Sequence, residues 1–300
     1  MMAAAQDTWT TRRLLDWMQS HFLAKGVHAP DVTAQMLVAH VLEVEPIMLF
    51  TDPERPASDS ERDRLRDLVG RAAAQEPVQY LIGTGQFLGR PFEVNPAVLI
   101  PRTATESILQ AVLDRQRGGV VDGGVPALNV SADIGTGSGS LGISLALHVP
   151  DTRVVATDVS AEALEVARRN SDRHGVSDRI EFVQGDAVEP LRTRRPERGF
   201  DLVVSNPPYI SDATWGSLDA SVREHEPTLA LRGGADGLEC IRRIIQDVQD
   251  VLADDGLFVL EFGDDQAEPV LALASSIGPA RIERDVDGDE RIVVVDRAGH

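Results

Sequence analysis

Ala132-Asp133-Ile134-Gly135-Thr136-Gly137-Ser138-Gly139 reads as the end of a buried strand, a glycine-rich turn and the start of a helix. Glycines allow such a turn to pass close to a ligand, with helix N-terminal amides just behind it. The pattern on either side alternates. A helix over 104–115 precedes a strand over 129–134, and the helix beginning near Gly139 leads to a strand at Arg153–Thr157. A helix over 161–171 precedes strands over 180–184 and 200–205. A helix over 236–252, a strand over 256–261, a helix over 266–276 and late strands near 281–285 and 291–296 close the pattern. Repeated βα units imply an α/β fold whose mostly parallel sheet is covered on both faces.

In such a sheet, ligands bind beyond the carboxyl ends of the strands. A dinucleotide fingerprint would read G-x-G-x-x-G. Here the third glycine, Gly139, comes one residue early and Ser140 follows it. Asp133 stands before the turn, which suits a ligand with an amino acid moiety, such as S-adenosylmethionine. Residues 135–139 (Gly135, Thr136, Gly137, Ser138 and Gly139) would cradle it. The second strand ends at Asp158, and an acid there suits both hydroxyls of a ribose. The third ends at Gly185-Asp186-Ala187. Asp186 is placed to accept from an adenine amino group with Ala187 beside the ring, unless this is an ordinary strand-end turn.

The apolar run Phe200–Val204 leads into Asn206-Pro207-Pro208-Tyr209. Two prolines end the hydrogen-bonded ladder. The Asn206 carboxamide oxygen and the Pro207 carbonyl can together accept both hydrogens of a planar –NH2, and a tyrosine face can cover the same group. Asn206, Pro207, Pro208 and Tyr209 are the candidate catalytic and substrate-binding residues, and Asn206 is also a candidate for cofactor binding.

The rest of the chain bounds the setting. Residues 1–75 read as a small helical bundle punctuated by Pro30, Pro46, Pro53 and Pro56, with a helix start at Ser58-Asp59-Ser60-Glu61. Residues 76–102, rich in Gly, Pro and β-branched types, read as a β-hairpin and extended linker, and 103–300 as the α/β domain. The formal net charge of −19 argues against affinity resting on a phosphate backbone, so no direct nucleic acid partner is expected. A single cysteine, Cys240, excludes an intramolecular disulfide and a cysteine-based zinc site, and reads as a small buried hydrophobe. The histidines carry no metal-ligand spacing, so no metal is inferred. With no secretory h-region and no membrane-length apolar run, a cytoplasmic monomer is expected. Arg192–Arg198 reads as a solvated basic loop.

Asp133–Gly139, Asp158, Asp186 and Asn206–Tyr209 resemble class I S-adenosylmethionine-dependent methyltransferases that act on planar nitrogen. The chain is most similar to the bacterial protein-glutamine N5-methyltransferases of the HemK type. Further segments carry that resemblance: Glu76–Gly83, Leu99-Ile100-Pro101-Arg102 with Thr105-Glu106, Glu226-Pro227, Gly233-Gly234, Asp236-Gly237-Leu238, Glu261, Gly263 and Asp287-Gly288. It covers nearly the whole chain. It implies a Rossmann-like class I methyltransferase sheet with an N-terminal helical bundle, S-adenosylmethionine as cofactor, and class-1 peptide chain release factors as partners. The glutamine of their Gly-Gly-Gln loop would be the substrate, docked with help from the bundle. Two departures stand out: Thr103-Ala104 where the family has Pro and an acid, and Asp31-Val32-Thr33-Ala34-Gln35 where it often reads Arg-Leu-Asp-Ala-Glu. The alternatives are glutamine methylation of a ribosomal protein, N-methylation of a small amine, or a cofactor-binding scaffold without activity. DNA adenine methylation, which needs base flipping and a basic recognition surface, fits the charge poorly.

Overall fold

Side-chain caps start the first and third helices, and the N-terminal helices share one apolar core. α1 (Thr11–Lys25) starts where the Thr10 hydroxyl accepts from the Arg13 amide, and ends at Gly26 in the left-handed region, φ 71°. α2 spans Pro30–Leu42. α3 (Asp59–Ala73) has the capping box expected at Ser58: Ser58 Oγ accepts from the Glu61 amide, and a Glu61 carboxylate oxygen accepts from the Ser58 amide at 2.8 Å. The Arg55 guanidinium holds the Glu61 carboxyl down to about 2. The computed structural model describes residues 8–122 and 127–298. The chain divides into two compact units, Met1–Thr84 with Asp219–His225, and Gly85–Leu218 with Glu226–His300.

The helical unit reaches past residue 75. Residues read as the start of a hairpin and linker instead form a short helix, α4 (Val78–Ile82), because Val78 and Leu81 complete the bundle core of Leu14, Met18, Phe22 and Leu37. The hairpin follows as β1 (Thr84–Phe87) and β2 (Arg90–Glu93). Its two-residue turn puts Leu88 and Gly89 at φ 49° and 69°, the mirror-image turn that suits the twist of paired strands. Glu106 steadies the strained Leu88 by accepting from its amide at 2.7 Å.

The second unit continues with α5 (Thr103–Asp122), β3 (Val130–Ile134), α6 (Ser140–His148), β4 (Arg153–Asp158), α7 (Ala161–Arg173), β5 (Ile180–Gln184), α8 (Glu189–Arg192) and β6 (Phe200–Ser205). After α9 (Ala220–His225), which groups with the helical unit, come α10 (Glu239–Val248), β7 (Leu252–Glu261), α11 (Ala267–Ala274), β8 (Ala280–Arg284) and β9 (Glu290–Asp296). The seven strands lie in the order β5-β4-β3-β6-β7-β9-β8. The first five run parallel, while β9 pairs antiparallel with β7 and β8. Both faces are buried, as expected. Leu202 and Val204 point into one apolar layer with Ile108 and Val112, and Val203 points into the other with Ile241 and Ile244. α10 is shorter than the 236–252 expected. Asp236 accepts from the Leu238 amide and Gly237 takes φ 77°, holding a turn ahead of the helix, while Leu252 already pairs with Phe200.

One buried ion pair ties α5 to β9, the strand against which it packs. Arg115 Nε and Nη2 donate to the two Asp296 oxygens at 2.6 and 2.9 Å, with the side chains only 5% and 2% exposed. Removing one partner strands a buried charge, whereas replacing both by apolar groups does not. Arg115→Met is therefore expected to lower unfolding free energy by roughly 3–5 kcal/mol. Adding Asp296→Leu should recover most of it in denaturant unfolding. A single variant as stable as the parent would show that the pair contributes nothing.

Candidate active site

The carboxyl ends of β4, β3, β6 and β7 lie in register: Ile134 opposite Thr157 and Ser205, and Ser205 opposite Leu260. Ser205 Oγ donates to the Ile134 carbonyl at 2.9 Å, locking β6 to β3 where both strands end. The segments after β3, β4, β5 and β6 open onto one cavity of about 580 Å³. Residues 133–138, Asp158, Asp186, Ala187 and 206–208 line it, while Gly139 and Tyr209 do not.

Two acids shape the glycine turn. Asp133 is fully buried, and its Oδ2 accepts from Thr136 Oγ1 at 2.6 Å and from the Gly142 amide at 2.9 Å. Burial pushes its carboxyl up to about 6 against those two hydrogen bonds. Asp133 braces the turn against α6 through Oδ2 while remaining on the cavity wall. Asp158 accepts from the Gly137 amide through Oδ2 and from the Ser160 amide through Oδ1, both at 2.9 Å. Burial raises its carboxyl despite these amides.

The three glycines do different jobs. Gly135 (φ 73°) and Gly137 (φ 55°) have open space where a side chain would begin, so a Cβ there would enter the cavity. A cradle of this kind, with an acid at the end of β4, fits S-adenosylmethionine, and the cavity volume is ordinary for a ligand of that size. Gly139 (φ 82°) serves packing instead: a Cβ would lie 2.8 Å from Ile143 Cδ1 and 3.1 Å from Ala167 Cβ on α7. Sequence reading missed the partner of this close approach. Asn170 on α7 is fully buried, donates to the Ser138 and Glu93 carbonyls, and accepts from the Glu93 amide. Its sequence signal is an amide on the apolar side of an amphipathic helix.

Asn206 is placed as expected, at the cavity wall, and its partners are new. Its Nδ2 donates to Thr105 Oγ1 at 2.8 Å, and Thr105 donates to Glu261 Oε2 at 2.7 Å. Glu261, at the end of β7, is 0% exposed, and burial pushes its carboxyl up to about 6. Tyr209 stands behind the cavity wall. Its hydroxyl donates to Glu261 Oε1 at 3.2 Å, its ring packs on the apolar layer beside Gly263, and its carbonyl accepts from Gln266. A buried carboxylate needs donors on both oxygens, and Tyr209 supplies the second. Burial and the Glu261 charge push the phenol upward.

Arg102, Asp186, Ala187 and Cys240 add to the wall. Arg102 pairs with buried Glu226, which also accepts from the Ile100 amide at 3.2 Å. This brace explains why Ile-Pro-Arg and Glu-Pro occur together. Asp186 is on the wall, but its Oδ2 is already engaged by Arg243 at 2.5 Å. Ala187 adopts φ 50°. Cys240 is half-buried on the wall rather than in the core, and burial pushes its thiol up to about 11. Arg192, Arg194 and Arg198 are exposed and paired with Asp250, Glu181 and Asp255. Among the described residues no cluster of His, Cys, Asp or Glu is arranged to hold a metal, and no helix is long and apolar enough to cross a membrane.

The glycines give a paired prediction. Gly139→Ala should destabilise the fold by roughly 2 kcal/mol or more through overpacking and backbone strain. Gly135→Ala should cost about 1 kcal/mol from strain alone while weakening S-adenosylmethionine binding. Denaturant unfolding and calorimetric titration of both variants separate the effects, and unchanged affinity in Gly135→Ala would remove that glycine from the cradle.

Comparison with known proteins identifies the family. The model described as PrmC N-terminal domain matches residues 13–83, and the Methyltransferase small domain model matches 125–221. The release factor glutamine methyltransferase of Geobacter sulfurreducens is 37% identical over 97% of this chain and 98% of its own length. That of Chlorobaculum tepidum is 38% identical over 95% and 97%, and that of Neisseria gonorrhoeae 38% over 88% and 93%. A methyltransferase structure from Pyrococcus furiosus, 17% identical, superposes with a TM-score of 0.50 over 80% of this chain and 99% of its own, a likeness of fold. With this degree of identity over nearly its full length, the chain belongs to the release factor glutamine methyltransferase family.

Proposed function

We propose that this protein transfers the methyl group of S-adenosylmethionine to the side-chain nitrogen, N5, of the glutamine in the Gly-Gly-Gln motif of class-1 peptide chain release factors, in the cytoplasm. The observation that carries the reading is the direction of the Asn206 amide. With Nδ2 given to Thr105, Oδ1 is the atom left to accept.

An amide nitrogen is a poor nucleophile because its lone pair is delocalised into the carbonyl. Asn206 Oδ1 and the Pro207 carbonyl accept its two hydrogens, which orients the nitrogen and favours pyramidalisation. Pro207 and Pro208 hold these acceptors rigidly. When bound, S-adenosylmethionine supplies an electrophilic methyl on a sulfonium centre. Residues 135–138 and Asp158 hold that cofactor, with Asp158 accepting from the ribose through lone pairs its two amide bonds leave open. Asp133 acts one step back, by fixing the turn. Asp186 and Ala187 lie at the adenine end, where Arg243 shares the Asp186 carboxylate. Tyr209 supports the site through Glu261. Catalysis is positioning and electrostatics, and no strong base is needed before transfer because the amide proton leaves afterwards to water. The helical unit serves to dock the release factor, and the hairpin links it to the catalytic unit.

Two measurements check this. Labelled S-adenosylmethionine should mark a class-1 release factor, and the label should vanish when the Gly-Gly-Gln glutamine is replaced by glutamate. Label on neither form, with cofactor still bound, would overturn the substrate assignment. Asn206→Ala should reduce kcat by roughly 10²-fold or more while changing cofactor affinity by less than about threefold. A retained rate would remove Asn206 from the mechanism.

A further inference from the structure

A carboxamide and a carboxylate have nearly the same shape, so a site that distinguishes glutamine from glutamate must read hydrogen-bond polarity. Asn206 can do so only if its own amide is held one way round, because its oxygen and nitrogen are interchangeable in shape. On the reading that Asn206 accepts from the substrate amide, we propose that Thr105 and Glu261 are positioning residues that fix the direction of Asn206 and so make the site selective for an amide over the isosteric carboxylate.

The polarity runs outward from the core. Glu261 is fully buried and receives Tyr209 Oη on Oε1 and Thr105 Oγ1 on Oε2. An ionised carboxylate only accepts, so the single Thr105 proton goes to Glu261. Thr105 Oγ1 then offers lone pairs toward Asn206. Nδ2 satisfies them at 2.8 Å, whereas Oδ1 in that place would set acceptor against acceptor. Asn206 is therefore held with Oδ1 presented as an acceptor, and among the described residues no donor reaches that atom. A substrate –NH2 complements it. A substrate carboxylate would meet a second acceptor in a partly desolvated wall and be rejected. A glutamine at 261 would preserve shape yet could donate to Thr105, freeing the Thr105 proton to turn toward Asn206 and reverse the amide.

The test measures binding of a release factor, as its Gly-Gly-Gln and Gly-Gly-Glu forms, to the full-length protein loaded with S-adenosylhomocysteine, alongside kcat with S-adenosylmethionine. The parent protein should prefer the glutamine form by roughly tenfold or more. Glu261→Gln and Thr105→Val should bring that preference close to parity and lower kcat by roughly tenfold or more, with cofactor affinity within about threefold of the parent. Thr105→Ser, which keeps the hydroxyl, should retain both preference and rate. A merely structural role would cost stability in every variant without moving the preference. If Glu261→Gln does not fold, the Thr105→Val and Thr105→Ser pair decides alone. Methylation by the parent together with unchanged preference in Thr105→Val would overturn the inference and leave the proposed function standing. Methylation of neither form by the parent would overturn both.

Discussion

Two carboxylates buried at the carboxyl edge of the sheet organise this site, Asp133 at β3 and Glu261 at β7, flanking β6 between them. Each is withdrawn from water at a cost that only hydrogen-bond donors offset. Each takes the hydroxyl of a threonine, Thr136 for Asp133 and Thr105 for Glu261. The two bonds do parallel work. Asp133 pins the turn that Gly135 and Gly137 keep open, and Glu261 sets the Thr105–Asn206 line. Burial raises both carboxyls to about 6, and among the described residues neither has a cationic side chain in hydrogen-bond contact. The acids act as fixed acceptors that orient neighbours, which suits a reaction needing placement rather than proton transfer.

Much of this edge was legible in the sequence because the relevant signals are local. A buried strand ending in glycines, an acid closing the next strand, and Asn-Pro-Pro after an apolar run each announce a turn whose backbone must be special. The parallel order follows from βα alternation and the burial of both faces. The rest was not legible because it is tertiary. Thr105 and Glu261 meet across 156 residues of chain. Each taken alone reads as a helix-start hydroxyl or a strand-end acid. The Tyr209 contact is hidden for the same reason: its own tetrapeptide gives no hint that a buried carboxylate claims its hydroxyl. Asp186 was placed at the cavity correctly, but its partner Arg243 comes from α10. The helix α4 hides behind hairpin-like composition because Val78 and Leu81 gain more from the bundle core than their β propensity loses.

Charge follows a similar logic at larger scale. The excess of acids over bases, −19 in formal charge, coexists with surface arginines that are largely paired. Exposed pairs of this kind contribute little to stability. The net charge leaves the molecule's overall field negative. A negative field speeds encounter with a cationic partner and opposes approach to a polyanion. Selectivity between partners of like charge must then come from the site itself.

The departures from the family pattern can be placed on that basis. Thr103 and Ala104 stand at the start of α5, between two residues that the site uses. Arg102 is braced by Glu226, and Thr105 carries the line to Asn206. Neither Thr103 nor Ala104 lines the cavity, and neither shares a hydrogen bond with the brace or the relay. The lost proline removes a fixed φ from the helix start, and the lost acid removes a favourable charge from its first turn. Glu106 remains in that turn, accepting from the Leu88 amide of the hairpin. The hydrogen-bond line to Asn206 therefore runs through position 105, and neither Thr103 nor Ala104 takes part in it.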